Sequence, residues 1–227
     1  MPTSSRLVYK PPKSYNEITT KQNTFTEVII LLEKITLANT GETINNKFYV
    51  LETPGKWNQN SFYKEAKIKD FICFFNYINS SNCPNFIARA LPITINIEAD
   101  LEMYRQNHFP ELPSRLACFF VFDNLKSVKQ YKEEEKNNTG NIFEISCAPE
   151  TLKISKHNME LVTVLRVIAY NNDLYHKVIQ EENLLYKYWA GIMEPFDYSK
   201  YGSNNGLILP RAEYLIEGSY ISGLYQE

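Results

Sequence analysis

The sequence predicts a single α+β domain behind a short N-terminal arm. Three observations lead there. Short runs rich in β-branched and aromatic residues, such as 48–51 and 142–147, are bounded by turn residues, as strands are. Segments with apolar residues at helical spacing, such as 61–78 and 173–190, are interspersed with them. No linker or repeat divides residues 25–227.

Residues 1–24 are polar, carry Lys10-Pro-Pro-Lys13 and lack periodicity, so they read as an arm. Val28–Leu37 is apolar and β-branched, a buried strand interrupted by Glu33 and Lys34. Residues 39–42 form a turn, Phe48–Leu51 a second strand, and residues 53–56 break the chain again. Ser61 is placed to cap a helix that runs to Ile78. Ile93–Ile97 alternates like a strand, yet Glu98–Asn107 is helical and stops near Pro110. Leu116–Phe122 is a buried strand, followed by a helix from Asn124 to Lys136 whose acidic end is solvated. Strands follow at Ile142–Cys147 and Thr151–Ser155. Leu161–Tyr170 is apolar and of either type, and Asp173–Ala190 has one clear apolar helical face. Pro195–Gly206 is a polar loop of the length that often carries function. Tyr214–Ile216 and Tyr220–Tyr225 are two last strands joined at Gly218.

Composition excludes several classes. A net charge of −2 provides no global pull toward nucleic acid or anionic membrane. No apolar run approaches the ~20 residues that span a bilayer, and the polar first twenty residues do not resemble a signal peptide. A cytoplasmic location is therefore expected, with no membrane partner. Cys73, Cys83, Cys118 and Cys147 lie far apart without a CxxC pair, so buried free thiols are expected. The three histidines do not pair at ligand spacing, which disfavours a metal. GxGxxG, GxxxxGK[ST], GxSxG and HExxH are all missing.

Three pieces of sequence carry possible chemistry. Lys34 with Thr36 in the opening strand places a cation where a phosphate or ribose could be met. Ser114-Arg115, at the mouth of the apolar run, combines a hydroxyl with a planar fork suited to pyrophosphate. Glu213 opens an apolar strand, where a carboxylate needs a partner, and an extended chain points Glu213 and Glu217 to one face.

A cationic opening strand, a later strand entered through Ser114 and followed by a helix, and the C-terminal Glu213-Tyr-Leu-Ile216 strand together resemble the ADP-ribosyltransferase superfamily. Glu213-Tyr-Leu-Ile216 is similar to the strand that carries the catalytic glutamate in poly-ADP-ribose polymerase-type members. Residues 104–131 also resemble an uncharacterised bacterial family in which an acidic-x-x-Arg helix precedes Pro-Ser-Arg and a buried strand. The resemblance covers Ile29 to Tyr225 and implies split mixed or antiparallel sheets with flanking helices. It makes Glu213 the catalytic carboxylate and Ser114 the central-strand hydroxyl. Arg115 and Thr36 join the cofactor site. Lys34 stands where the superfamily has Arg or His, with Arg105 as the alternative cation. An aromatic such as Phe119 or Tyr131 is expected to stack on nicotinamide, and alternation leaves open whether Phe119 or Phe120 faces the cleft.

The implied substrate is NAD, with no metal. Breaking its glycosidic C–N bond passes through an oxocarbenium-like state that a nearby carboxylate stabilises. The implied acceptor is a macromolecule, RNA or protein, and the implied setting is the toxin of a toxin–antitoxin or phage-defence system, with an antitoxin protein as partner. The alternative expectation is a catalytically silent ligand- or nucleic-acid-binding module on the same fold.

Overall fold

The computed structural model describes residues 34–52, 92–134, 140–147, 153–201, 206–217 and 220–224, all within one compact unit, Lys34–Glu227. The arm at 1–24, most of the strand at Val28–Leu37, the helix at Ser61–Ile78, Cys73 and Cys83 lie outside the described residues. The rest is mixed α+β, built on small antiparallel sheets and five helices among the described residues.

One three-stranded sheet pairs β5 (Asn141–Cys147) with β3 (Phe48–Glu52) on one side and β10 (Tyr220–Leu224) on the other. A second places β9 (Ala212–Glu217) between β4 (Phe119–Val121) and β6 (Lys153–Asn158). All these pairings are antiparallel. An isolated bridge between Tyr49 and Phe122 stitches the two sheets, with N···O distances of 2.7 and 2.8 Å. Two hairpins complete the strands: β1 (Lys34–Thr36) with β2 (Thr43–Asn45), and β7 (Phe196–Asp197) with β8 (Leu207–Ile208). The last two long strands follow each other closely in sequence but belong to different sheets.

Alternation along β9 sorts the core into layers. Tyr214 and Ile216, with Phe119, Val121 and Ile154, pack against Phe48, Ile145, Cys147 and the hairpin residues Ile35 and Leu37. Leu215 faces the other way, into the helices. These are α1 (Pro92–His108), α3 (Met159–Ile168), α4 (Asn172–Glu182) and α5 (Leu184–Trp189). A third cluster packs α2 (Leu125–Glu134) on β3 through Val128, Tyr49 and Leu51.

Several expected boundaries shift. Ile93–Ile97 is helical, because α1 starts at Pro92, where proline's fixed φ suits a first helical position. Burial of Ile97 and Leu101, one turn apart, outweighs the local β-branched alternation. Residues 115–117 form a turn, so the strand expected from Leu116 is confined to Phe119–Val121. The Leu161–Tyr170 run resolves as helix as far as Ile168, with Asn158 capping α3 through a 3.2 Å bond from the Glu160 amide. The helix expected over 173–190 is two helices, broken at Asn183, which adopts a left-handed φ of 53°. The 195–206 loop carries β7 and a 3-10 turn at Tyr198–Tyr201; residues 202–205 lie outside the described residues.

Asn39 helps to tie the hairpin to the second sheet. Asn39 Nδ2 donates to Lys156 O at 2.7 Å and to Trp189 O at 3.2 Å, and Lys156 N donates back to Asn39 Oδ1 at 3.1 Å. Gly191 (φ 72°) lies beneath it, and a Cβ there would sit 2.7 Å from Asn39 Nδ2 and from Lys156 O. Gly41 has a similar φ of 69° and nothing within 4 Å. Both alanine variants incur the backbone cost, but only Gly191→Ala also breaks the stitch. Thermal unfolding should place Gly191→Ala at least ~1 kcal/mol below Gly41→Ala.

Candidate functional site

The inward face of α1 is charged. Glu98 and Glu102 lie one turn apart with Arg105 below them, and all three are buried. Pro110 and Pro113 prevent α1 from continuing, and the chain turns back through Leu112 N→Phe109 O at 3.1 Å. Arg105 knits this corner together. Its Nε and Nη2 donate to the two oxygens of Glu102 at 3.1 and 2.8 Å, and its Nη1 donates to the carbonyls of Pro110 and Leu112 at 3.2 and 2.9 Å. Glu102 also accepts from Gln106 Nε2 at 2.8 Å and from Ser114 Oγ at 2.9 Å. Burial lifts the Glu102 carboxyl above its ordinary range, against the pull of the Gln106 and Ser114 bonds.

The next residue builds a second centre. Arg115 Nε and Nη2 grip Glu98 at 2.8 and 3.0 Å, the two-point geometry a guanidinium is shaped for. Its Nη1 donates to Glu213 Oε1 at 2.7 Å and to the hydroxyl of Tyr188, which donates to the same Oε1 at 2.7 Å. Phe120 covers the guanidinium with its ring centre 4.8 Å away. Burial opposes the charge on Arg115, but Glu98, Tyr188 and Glu213 more than offset it and hold its pKa above the ordinary value. Burial likewise pushes the Tyr188 hydroxyl and the Cys118 thiol well up, so Cys118 is no thiolate nucleophile.

Two carboxylates around one guanidinium leave one formal negative charge. Arg166 on α3 stands 3.9 Å from Glu98, half exposed, and balances it from the rim. Glu213 Oε1 takes both bonds. Oε2 bonds to no described residue. The whole residue is only 6% exposed.

His157 pairs with Glu213 across the β6–β9 register. Its Nδ1 donates to Tyr188 O at 2.8 Å, since a carbonyl can only accept, and Nε2 therefore accepts from Ser155 Oγ at 2.6 Å. The ring stacks on Tyr188 at 4.6 Å and meets the edge of Trp189 at 5.1 Å. Ser155 and His157 are both sealed at 0% exposure, so the pair orients Tyr188 rather than offering a nucleophile.

Of the residues singled out by sequence, Glu213, Ser114, Arg115 and Arg105 come together in these two adjoining networks. Lys34 and Thr36 do not join them. Both are exposed on β1, while Ile35 between them packs with Tyr214, on the face of β9 opposite Glu213. Phe119 also packs with Tyr214; Phe120 is the aromatic on the Glu213 face. Sequence reasoning missed Glu98, Glu102, Tyr188 and His157. The available signal was a pair of carboxylates four apart beside Ile97 and Leu101, on the face α1 buries.

Among the described residues no group of three His, Cys, Asp or Glu side chains is arranged to hold a metal ion, and no helix is long and apolar enough to cross a membrane. Cys118 and Cys147 are free and buried. Residues 13–218 match the family described as protein of unknown function (DUF2441), and the chain belongs to that family. No curated protein matches it.

Proposed function

We propose that this member of the family is an NAD-dependent ADP-ribosyltransferase that modifies a macromolecule, RNA or protein. One observation carries the reading. Glu213 opens the central strand of a sheet and meets Arg115, 98 residues earlier, with one carboxylate oxygen bound and the other without a partner among the described residues. A carboxylate held on one side and open on the other suits a reaction that builds positive charge on a ribose. Oε2 would accept from a ribose hydroxyl, while the Arg115 and Tyr188 bonds fix the carboxylate's orientation at no further ordering cost. Ser114 acts through Glu102 and the turn it shapes, rather than on substrate; its Oγ also accepts from Leu116 N at 3.2 Å. Lys34, Thr36 and Phe119 have no role in this version of the site.

A second reading is favoured by a separate observation. Tyr188 and Phe120 crowd Arg115 and Glu213 where a ligand ring would lie, as in a catalytically silent ligand- or nucleic-acid-binding module. Incubation with NAD labelled on the adenylate phosphate and a cell lysate separates the two. Wild type is expected to transfer label, and Glu213→Gln to transfer at least ~100-fold less. Protease and RNase digestion then identifies the acceptor, and free ADP-ribose without transfer marks a hydrolase. A folded wild type that consumes no NAD supports the silent module.

A further inference from the structure

The dipeptide Ser114-Arg115 is bracketed by two carboxylates on one face of α1. Glu102 receives the serine hydroxyl and Glu98 receives the Nε/Nη2 edge of the arginine. A guanidinium presents two edges to carboxylates, and its preferred arrangement on either is a two-point fork. Here Glu98 holds one edge by two bonds, so only Nη1 remains for Glu213, and it reaches Oε1 alone. Without Glu98 the Nε/Nη2 edge of the guanidinium is released from both of its carboxylate bonds and can turn toward the second oxygen of Glu213.

We infer that Glu98 is a positioning residue: by occupying one edge of Arg115 it restricts the guanidinium to Oε1 and leaves Oε2 of Glu213 unengaged by Arg115, the oxygen that a ribose hydroxyl would use. This rests on the transferase reading for its kinetic consequence, but not for its geometry. The ionisable groups around Glu213 are Arg115, Glu98 on α1, Tyr188 on α5, Cys118 and, across the β6 register, neutral His157. Of these, Glu98 is the one that grips Arg115 without touching Glu213.

The test is Glu98→Gln in the full chain, whose amide can accept only one of the two bonds. The Glu213 carboxyl resonance, assigned by its loss in Glu213→Gln, is titrated by 13C NMR. A fork on Glu213 strengthens its ion pair, so its midpoint should fall by about one pH unit or more. In the same variant kcat for NAD consumption should fall ~10-fold or more with KM within ~3-fold, and the acid limb of the pH profile should follow the carboxyl. Glu98→Asp keeps the charge with a shorter reach and should shift the midpoint the same way by about half as much.

Asp100→Asn supplies the contrast. It exchanges the charged acceptor of the Tyr175 hydroxyl's 2.7 Å bond, on the same helix as Glu98, for a weaker neutral amide without touching Arg115. It should lower Tm and leave the Glu213 midpoint in place. A Glu98→Gln protein that merely loses stability, as Asp100→Asn does, with the midpoint unmoved, overturns the positioning role. If Glu98→Gln fails to fold, an unmoved midpoint in Glu98→Asp does the same. A midpoint that also shifts in Glu98→Asp, which keeps the charge, in a protein that consumes no NAD supports the positioning geometry and sinks the transferase reading instead.

Discussion

Replacing Arg115 with Met should cost the fold ~3–5 kcal/mol, the range for breaking a buried ion pair from one side. The reason is what remains. Glu98 and Glu213 are left buried around the missing guanidinium, and among the described residues only Arg166, at the rim, remains to balance them. Tyr188 loses the donor that fixes its hydroxyl, and the stack it makes with His157 loses a support. Urea unfolding at pH 7 reads the loss. Adding Glu98→Gln to Arg115→Met should recover part of the loss, since one of the stranded charges is gone. A single variant within ~1 kcal/mol of wild type, or a double variant worse than the sum of its parts, contradicts a tightly coupled centre.

Much of that centre was legible before any coordinates. Glu213 and Arg115 are charges abutting apolar runs, and such charges demand partners. That they find each other across 98 residues follows from β9 pairing with β4. Glu98 was hidden because it directly follows Ile93–Ile97, whose alternation mimics a strand; only burial of Ile97 and Leu101 shows which way α1 turns. The separation of Lys34 and Thr36 from this centre has a different cause. Alternation places them opposite Ile35, but no local pattern says that the hairpin covers the Tyr214 face of the sheet. Phe119 and Phe120 are the same problem at its smallest. Their opposition is certain from strand geometry, and the choice between them is made by the register Phe120↔Leu215. The break at Asn183 escaped for want of a proline or glycine; asparagine tolerates the left-handed region well enough to end one helix and start the next without disturbing the apolar face.

Acid should unfold the protein partly through one histidine. Burial, reinforced by the positive charge of Arg115 and opposed by the Tyr188 carbonyl, drops the His157 pKa to about 3. In the unfolded chain it lies near 6.5. Between those values the unfolded state binds a proton that the native state refuses, so stability falls as the pH is lowered through 6.5 toward 3. From pH 7 to pH 5 the loss is ~2 kcal/mol, at 1.4 kcal/mol per unit once the unfolded histidine is fully charged. Glu102 acts in the opposite sense: burial raises its carboxyl to about 7, so its contribution is present at low pH and is lost as the pH rises through that value. The two slopes overlap, so the raw stability of wild type between pH 5 and 7 isolates neither. His157→Gln separates them. The variant is less stable at every pH, because it lacks the stack on Tyr188 and the edge contact with Trp189. Its deficit relative to wild type should be ~2 kcal/mol smaller at pH 5 than at pH 7, since it has no imidazole to charge on unfolding. Chemical denaturation of both proteins at the two pH values measures that difference directly. A deficit that does not change with pH means the native imidazole takes its proton inside the fold, and the Ser155–His157–Tyr188 chain must then rearrange to accept it.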